Sequence, residues 1–302
     1  MALNTTLFDN ITGTLSKNIK FATVSAFTEY KKECWEFAMK EKTDQKYEQY
    51  LGYEGFGATP EITEGGDIQP VEFKEGYKTQ IAQKQFAYEV RVTWAQRRFA
   101  VKAAAFAKQI GYFLGRSANL AYENKGADIL NNGFTDSAAY HGGDSKPLFS
   151  ASHPFKTGGT YSNVLTSADL SKTSLKSALM TIQNAKMENS IPAKLTAKNI
   201  IIGYENVFEL PELLKSTLDP ANGNNTYNAI QDFGLQKTLN HFLSDTDSWY
   251  ITTPETWLAI VEANSPFLGT ESYANYDVGE KIFMSMNSGF KDPLGTFGNA
   301  GA

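Results

Sequence analysis

The sequence predicts an α+β protein with extended parts, on three observations. From Phe86 to Trp94 the large residues Phe86, Tyr88, Val90, Val92 and Trp94 alternate strictly with Ala87, Glu89, Arg91 and Thr93, which is strand spacing. Phe99, Ala103, Phe106, Ile110, Phe113 and Leu114 form one helical stripe, continued by Leu120, Ala121, Ala127 and Leu130. Short apolar runs later in the chain, Leu195 to Ile202 and Ser248 to Thr252, read as buried strands.

Taken in order, residues 1–20 are polar and rich in Thr and Asn, and read as an arm. Phe27, Tyr30, Cys34, Phe37 and Ala38 recur at spacings of three and four, which predicts a helix over 23–42. A shorter piece, 44–51, sets Tyr47, Tyr50 and Leu51 on one side. Gly52 to Gly66 holds five glycines and one proline in fifteen residues, so it reads as a loop or linker. Tyr77, Thr79 and Ile81 alternate with Lys78 and Gln80, which pairs this run with 86–94 as a ribbon whose tip lies at Gln83–Gln85. An isolated hairpin is marginal in water and exposes both edges, so it needs a cover from this chain or another.

Residues 96–132 predict a helix about 50 Å long at roughly 1.5 Å per residue. Its Gly111 and Gly115 form a G-x-x-x-G, which in a soluble helix reads as close packing of another backbone. Residues 134–166 are irregular, with Leu148 and Phe149 as their apolar knot. A second helix starts near Ser167, and a third spans 204–217. Residues 218–227 are loop, and strands follow at 235–239 and 248–252. The tail holds a short helix or turn at 255–261, strands near 276–278 and 280–286, and a glycine-rich end.

Composition narrows the function. The chain has 302 residues and a mass of 33.4 kDa. A compact globule of that mass exposes about 12,600 Å² of the roughly 48,000 Å² of its unfolded chain. Aromatic residues make up 13%, too many for a wholly disordered chain. No run of 18 apolar residues offers a membrane span. The net charge of −5, with no basic run, argues against tight nucleic-acid binding. The one cysteine, Cys34, permits no intrachain disulfide and reads as a small buried hydrophobe.

Catalytic equipment is sparse. His141, His153 and His241 occupy no metal-ligand spacing, and His153, before Pro154, reads as ordering its loop. Asp245 and Asp247, with Asp232 nearby, lack the glycine and the terminal Glu of a calcium loop. Glu61, Glu64 and Asp67 sit in a glycine-rich stretch without fixed geometry. No phosphate-cradling glycine motif occurs, so no cofactor and no metal is expected.

The order of the parts resembles phage major capsid proteins of the HK97-type fold, most closely the Mu-like head-subunit branch. Tyr47-Glu-Gln-Tyr-Leu-Gly52 followed by Glu64-Gly-Gly-Asp-Ile68 looks like that family's arm leading into its extended loop. Tyr77 to Trp94 looks like the hairpin of that loop, and Arg97 to Asn132 like the spine helix. Pro147-Leu-Phe-Ser-Ala-Ser-His-Pro154 resembles a loop after the spine, and Ser248-Trp-Tyr-Ile251 the strand closing the axial domain. Phe290-Lys-Asp-Pro-Leu-Gly-Thr-Phe-Gly298 resembles the C-terminal end.

The resemblance implies an N-terminal arm and helix (1–66), an extended hairpin loop (67–96), a peripheral domain with the spine (97–194), an axial domain (195–253) and a return to the peripheral domain (254–302). It implies a non-enzymatic shell subunit that assembles with itself into hexamers and pentamers of a virion, formed in the host cytoplasm. No long charged heptad region precedes the arm, so a separate scaffolding protein or prior processing is implied, along with a portal. Packaged DNA is met only by weak, non-specific contact. The ribbon residues expected at subunit interfaces are Tyr77, Lys78, Ile81, Phe86, Tyr88 and Arg91. The competing readings are a tail-tube, filament or surface-layer subunit, and a hydrolase centred on His153 with Asp144 or Glu61.

Overall fold

Leu15, Ile19, Thr23 and Ala26 recur every three or four residues and are buried, so one stripe of an otherwise polar segment is apolar enough to pack. In the computed structural model, which describes residues 5–53, 55–56, 59–68, 70–72, 74–99, 103–217 and 227–302, that stripe belongs to helix α1 (Thr5–Glu29). Residues 5–20 are therefore helix rather than a free arm. Their stability comes from packing, which Thr- and Asn-rich composition hides.

The helix expected over 23–42 stops at Glu29. Buried Glu123 accepts the backbone N–H groups of Glu33 (2.7 Å) and Cys34 (3.1 Å), which holds the chain in a short 3₁₀ turn, Glu33–Glu36. Beyond it, strand β1 (Met39–Lys42) lies parallel to a later strand, and the piece at 44–51 belongs to strand β2 (Tyr47–Tyr53), in which Tyr47 and Tyr50 fall on opposite faces rather than on one side.

Next come β3 (Glu75–Ala82) and β4 (Lys84–Val92), separated by Gln83 alone. They do not pair with each other. β3 pairs antiparallel with β2, from Tyr47 opposite Ala82 to Tyr53 opposite Glu75, and β4 joins another sheet. The ribbon expected from 77–81 and 86–94 is thus replaced by one built from 47–53 and 75–82, whose tip is the glycine-rich 54–74 segment. No turn residue occupies 82–85 to fold the chain back, so it runs on.

The long helix divides into α2 (Trp94–Phe99) and α3 (Ala103–Asn131), with 100–102 outside the described residues. The two-residue strands β5 (His153–Pro154) and β6 (Thr160–Tyr161) follow, then α4 (Lys172–Gln183). Ser171 and Ser174 form a reciprocal capping box there, so the N-cap of α4 is Ser171, four residues after the expected Ser167. The remaining elements are β7 (Asn199–Ile202), α5 (Glu209–Lys215), β8 (Gln236–Leu239), β9 (Trp249–Thr252), β10 (Leu258–Ser272), β11 (Val278–Phe290) and β12 (Thr296–Asn299). Helix 204–217 is shorter than expected. The segment at 255–261 turns into β10 instead of a helix, and the glycine-rich end contains a buried strand. Most of the loop expected at 218–227 lies outside the described residues.

Two four-stranded sheets organise the chain, in orders β1-β10-β11-β4 and β12-β9-β7-β8. The first packs on α3 around Leu114, Ala118, Tyr122, Ile260, Met284 and Met286. The second builds a separate core around Leu175, Ile182, Ile200, Trp249, Ile251 and Phe297, with α4 and α5 packed on it. Phe149 stacks on Tyr250 at 5.3 Å in the first core, while Asn163 ties the 148–150 loop to the last strand through Leu148 O (2.7 Å) and Thr296 O (3.0 Å).

The G-x-x-x-G reading is met closely. A Cβ at Gly111 would sit 2.4 Å from Ile19 O, and one at Gly115 2.5 Å from Thr23 O, so α1 and α3 lie backbone to backbone, with their numbering rising together. At Gly126 a Cβ would fall 2.1 Å from that of Cys34. Cys34 is fully buried, and burial pushes its thiol up, which disfavours the reactive thiolate.

Candidate functional site

The β2–β3 ribbon begins from a tied base. Thr79 Oγ1 donates to Lys291 O and accepts from Gly143 N, both at 3.1 Å. Lys156 Nζ donates to Gly76 O at 2.6 Å, and Asn287 Nδ2 to Ala82 O at 2.7 Å. Tyr50 and Lys291 both meet the Glu41 carboxylate. Ile81 turns inward against Ala259, Val261 and Tyr50. Beyond that base the tip offers apolar side chains to solvent: Ile68 is 81% and Val71 65% exposed, and Phe56 and Ile62 are exposed as well. Acids Glu61, Glu64, Asp67 and Glu72 lie among them. A fixed base with an oily, acidic tip is suited to reaching a neighbour.

The residues expected at interfaces are divided by this arrangement. Tyr77 is half-buried beneath the Lys156 ammonium, 5.3 Å from its ring centre, while Lys78 is exposed. Phe86 packs partly against the first core. Tyr88 is exposed on the edge strand β4, and Arg91 stacks over Tyr273 at 3.7 Å. Sequence reasoning missed β2 and the apolar tip. The signal for them was present: Phe56, Ile62, Ile68 and Val71 interrupt a breaker-rich segment flanked by two alternating runs.

The second candidate centres on His153, which is buried at 3% exposure. Its Nδ1 lies 2.6 Å from Asp144 Oδ2 and its Nε2 3.3 Å from Leu148 O. A carbonyl oxygen only accepts, so Nε2 carries a hydrogen and Nδ1 is engaged by the carboxyl group. Neither nitrogen keeps a free lone pair for a substrate. A cavity of about 90 Å³ adjoins the ring, lined by Tyr77, Asp144, Tyr161, Phe155 and Asp292; Glu61 is not among its lining residues. His141 pairs with Asp136 and His241 with Glu33 on the exposed surface. Asp247 N donates to Asp245 in the turn before β9. Among the described residues no cluster of three or more His, Cys, Asp or Glu is placed to hold a metal.

Burial pushes the Asp292 carboxyl up, and the Asp144 charge adds to this, against the Leu294 N–H and His153. A carboxyl raised in the folded state favours folding in acid, and that contribution is lost as pH rises through its folded value. Asp292→Asn is therefore expected to raise the melting temperature at about pH 8, with the gain shrinking toward about pH 4. Thermal melts of both proteins across that range check this, and a gain that grows in acid would contradict it.

No protein-family model matches the chain, and no curated protein matches it. Solved structures do. The mature capsid of bacteriophage PhiM1 superposes with a TM-score of 0.56 at 14% identity, over 90% of this chain and 87% of that one. The capsid of cyanophage P-SCSP1u gives 0.56 at 11% identity, over 88% and 86%. A virus-like particle from Pyrococcus furiosus gives 0.51 at 9% identity, over 94% and 98%. The chain has the HK97-type capsid fold. In the terms of that capsid fold, α3 is the spine helix and the β2–β3 ribbon the extended two-stranded loop. The spine and ribbon of this capsid fold therefore share one root, where Asn287 and Lys291 on and just after β11 tie β3 to the strand that packs on α3.

Proposed function

We propose that the chain is the major capsid subunit of a phage head, and that many copies close into an icosahedral shell of hexamers and pentamers around packaged DNA. The observation that carries this reading is area. The subunit exposes 17351 Å², about 4,700 Å² more than the roughly 12,600 Å² of a compact globule of its mass. That excess equals about six patches of the ~800 Å² that a standard interface takes from one partner. Spread over several neighbours, it supplies the hydrophobic drive for assembly.

Within this reading Tyr77, Lys78, Tyr88 and Arg91 face neighbouring subunits, while Ile81 and Phe86 stiffen the strands from behind. The two separate cores support a peripheral body on the spine and an axial body whose centre is 195–253. The Mu-like branch, a separate scaffolding protein, a portal and assembly in a host cytoplasm belong to the same proposal. The net charge of −5 favours only weak contact with DNA. Among the described residues no helix is long and apolar enough to cross a membrane. We assign His153 a structural part, because both ring nitrogens are already engaged.

Negative-stain electron microscopy of the expressed chain tests the proposal. Closed isometric particles are expected. Open tubes or flat lattices would favour the filament reading, and a monodisperse monomer at high concentration would remove both.

A further inference from the structure

β4 is an end strand of its sheet, in the order β1-β10-β11-β4. Among the described residues, no backbone hydrogen bond outside the β11 ladder involves Lys84 to Val92. The nine residues of β4 therefore present an open backbone edge, and Tyr88 on it is 66% exposed. The helix layer ends on the same side. Gly111 and Gly115 mark the face of α3 that meets α1, and buried Leu114 and Ala118 mark the face toward the sheet. At about 100° per residue, Phe106, Phe113 and Leu120 fall opposite α1, and all three are exposed. A groove of about 310 Å³ opens there between the layers, lined by Phe86 and Tyr88 of β4 and by Ser117 and Ala121 of α3.

Sheet and helix thus stop together, as in a core divided at an interface between identical chains. The two layers need different covers. A backbone edge is satisfied by a strand, and the helix line by apolar side chains. A second copy turned about a two-fold axis supplies both at once, β4 against β4 and α3 beside α3. A ribbon tip would extend the sheet and leave the helix line bare, and a nucleic acid would serve neither. No charge stands between the helices. Lys108, seven residues before Gly115, shares the α1 side, and Arg116, two residues after Leu114, points away from the sheet. Pairing the whole of β4 with its copy requires Tyr88 to meet Tyr88. Phe86 then opposes Val90 and Gln85 opposes Arg91, whereas a shift to Glu89 would set two carboxylates face to face.

We propose that two copies join edge to edge through β4, antiparallel and centred on Tyr88. Their two four-stranded sheets become one, and the two α3 helices lie side by side above it. This deepens the placing of Tyr88 at a subunit interface and rests on that reading.

Disulfide trapping tests it with the full chain. Opposed residues of an antiparallel pair have Cα atoms about 4.5–5.5 Å apart, within reach of a disulfide. With oxidised glutathione, Tyr88→Cys should form a covalent dimer at least about tenfold faster than Thr173→Cys, an exposed position on α4. The parent chain, whose Cys34 is buried, is the blank. Mixed Phe86→Cys and Val90→Cys chains should join each other faster than either joins itself, which reads the register with Tyr88 intact. Adding Phe113→Glu should slow both traps about tenfold, because it buries a charge between the helices. Tyr88 and Phe113 are exposed, so circular dichroism should show an unchanged fold. Failure of both traps would overturn the proposal, as would trapping indifferent to Phe113→Glu. Closed particles without trapping would remove this contact and leave the shell reading standing, and trapped dimers without particles would do the reverse.

Discussion

Replacing residues 54–74 with a short glycine-serine turn between Tyr53 and Glu75 is expected to give a subunit that folds and does not form closed particles. The ribbon's base is held by Thr79, Lys156, Tyr50 and Ile81, all outside the removed segment, so the two sheets and their cores keep their contacts. What is lost is the tip, with Ile68 and Val71 standing in solvent and nothing in their own chain covering them to that extent. Full burial of each such side chain on a neighbour is worth about 1.5–3 kcal/mol, repeated at every copy of a shell. Light scattering and negative-stain images should show small species where the parent gives particles, with an unchanged melting profile. Normal particles from the shortened chain would exclude the tip as an assembly element.

Gly111→Val is expected to release α1 from the spine. The new side chain would start 2.4 Å from Ile19 O and 2.7 Å from the Ala22 Cβ, on a backbone that cannot yield without moving the whole helix. Overpacking of this kind costs about 1–3 kcal/mol. Adding Gly115→Val, one turn further along the same contact, should make the detachment complete. Hydrogen exchange over Thr5–Glu29 should rise to the level of an unpacked helix, while the β7–β9 ladder keeps its protection. Uniform loss of protection would instead mark α1 as essential to the entire fold.

The spine and three strands of the second sheet, β7, β8 and β9, were legible in the sequence because their signals are local. Phe106 to Leu130 repeats at helical spacing, and Ile200 to Ile202 is a short buried run between polar neighbours. The capped helix α4 was visible for the same reason. Strand pairing was not legible, because a ladder is a relation between distant residues. Tyr88 pairs with Ile282, and nothing near Tyr88 specifies that partner; proximity favoured Ile81 and its neighbours instead. β10 escaped because Leu258 to Glu262 is buried without alternation, so its period is hidden. α1 escaped because its helix rests on a fit to two glycines seen only in space. Of the proposed interface, Tyr88 announced itself through alternation, whereas the tip residues were concealed in a segment whose glycines read as a linker.

The passage from β3 through Gln83 into β4 gives the subunit a load path. Tension applied to the tip runs down β3 and enters a strand laced to β11 from Lys84 opposite Met286 to Val92 opposite Val278. Force directed along that strand shears the whole ladder together rather than peeling it rung by rung, and the pull ends in the sheet that bears on the spine. A pull on the tip is therefore borne by the whole β4–β11 ladder and by the sheet packed on α3.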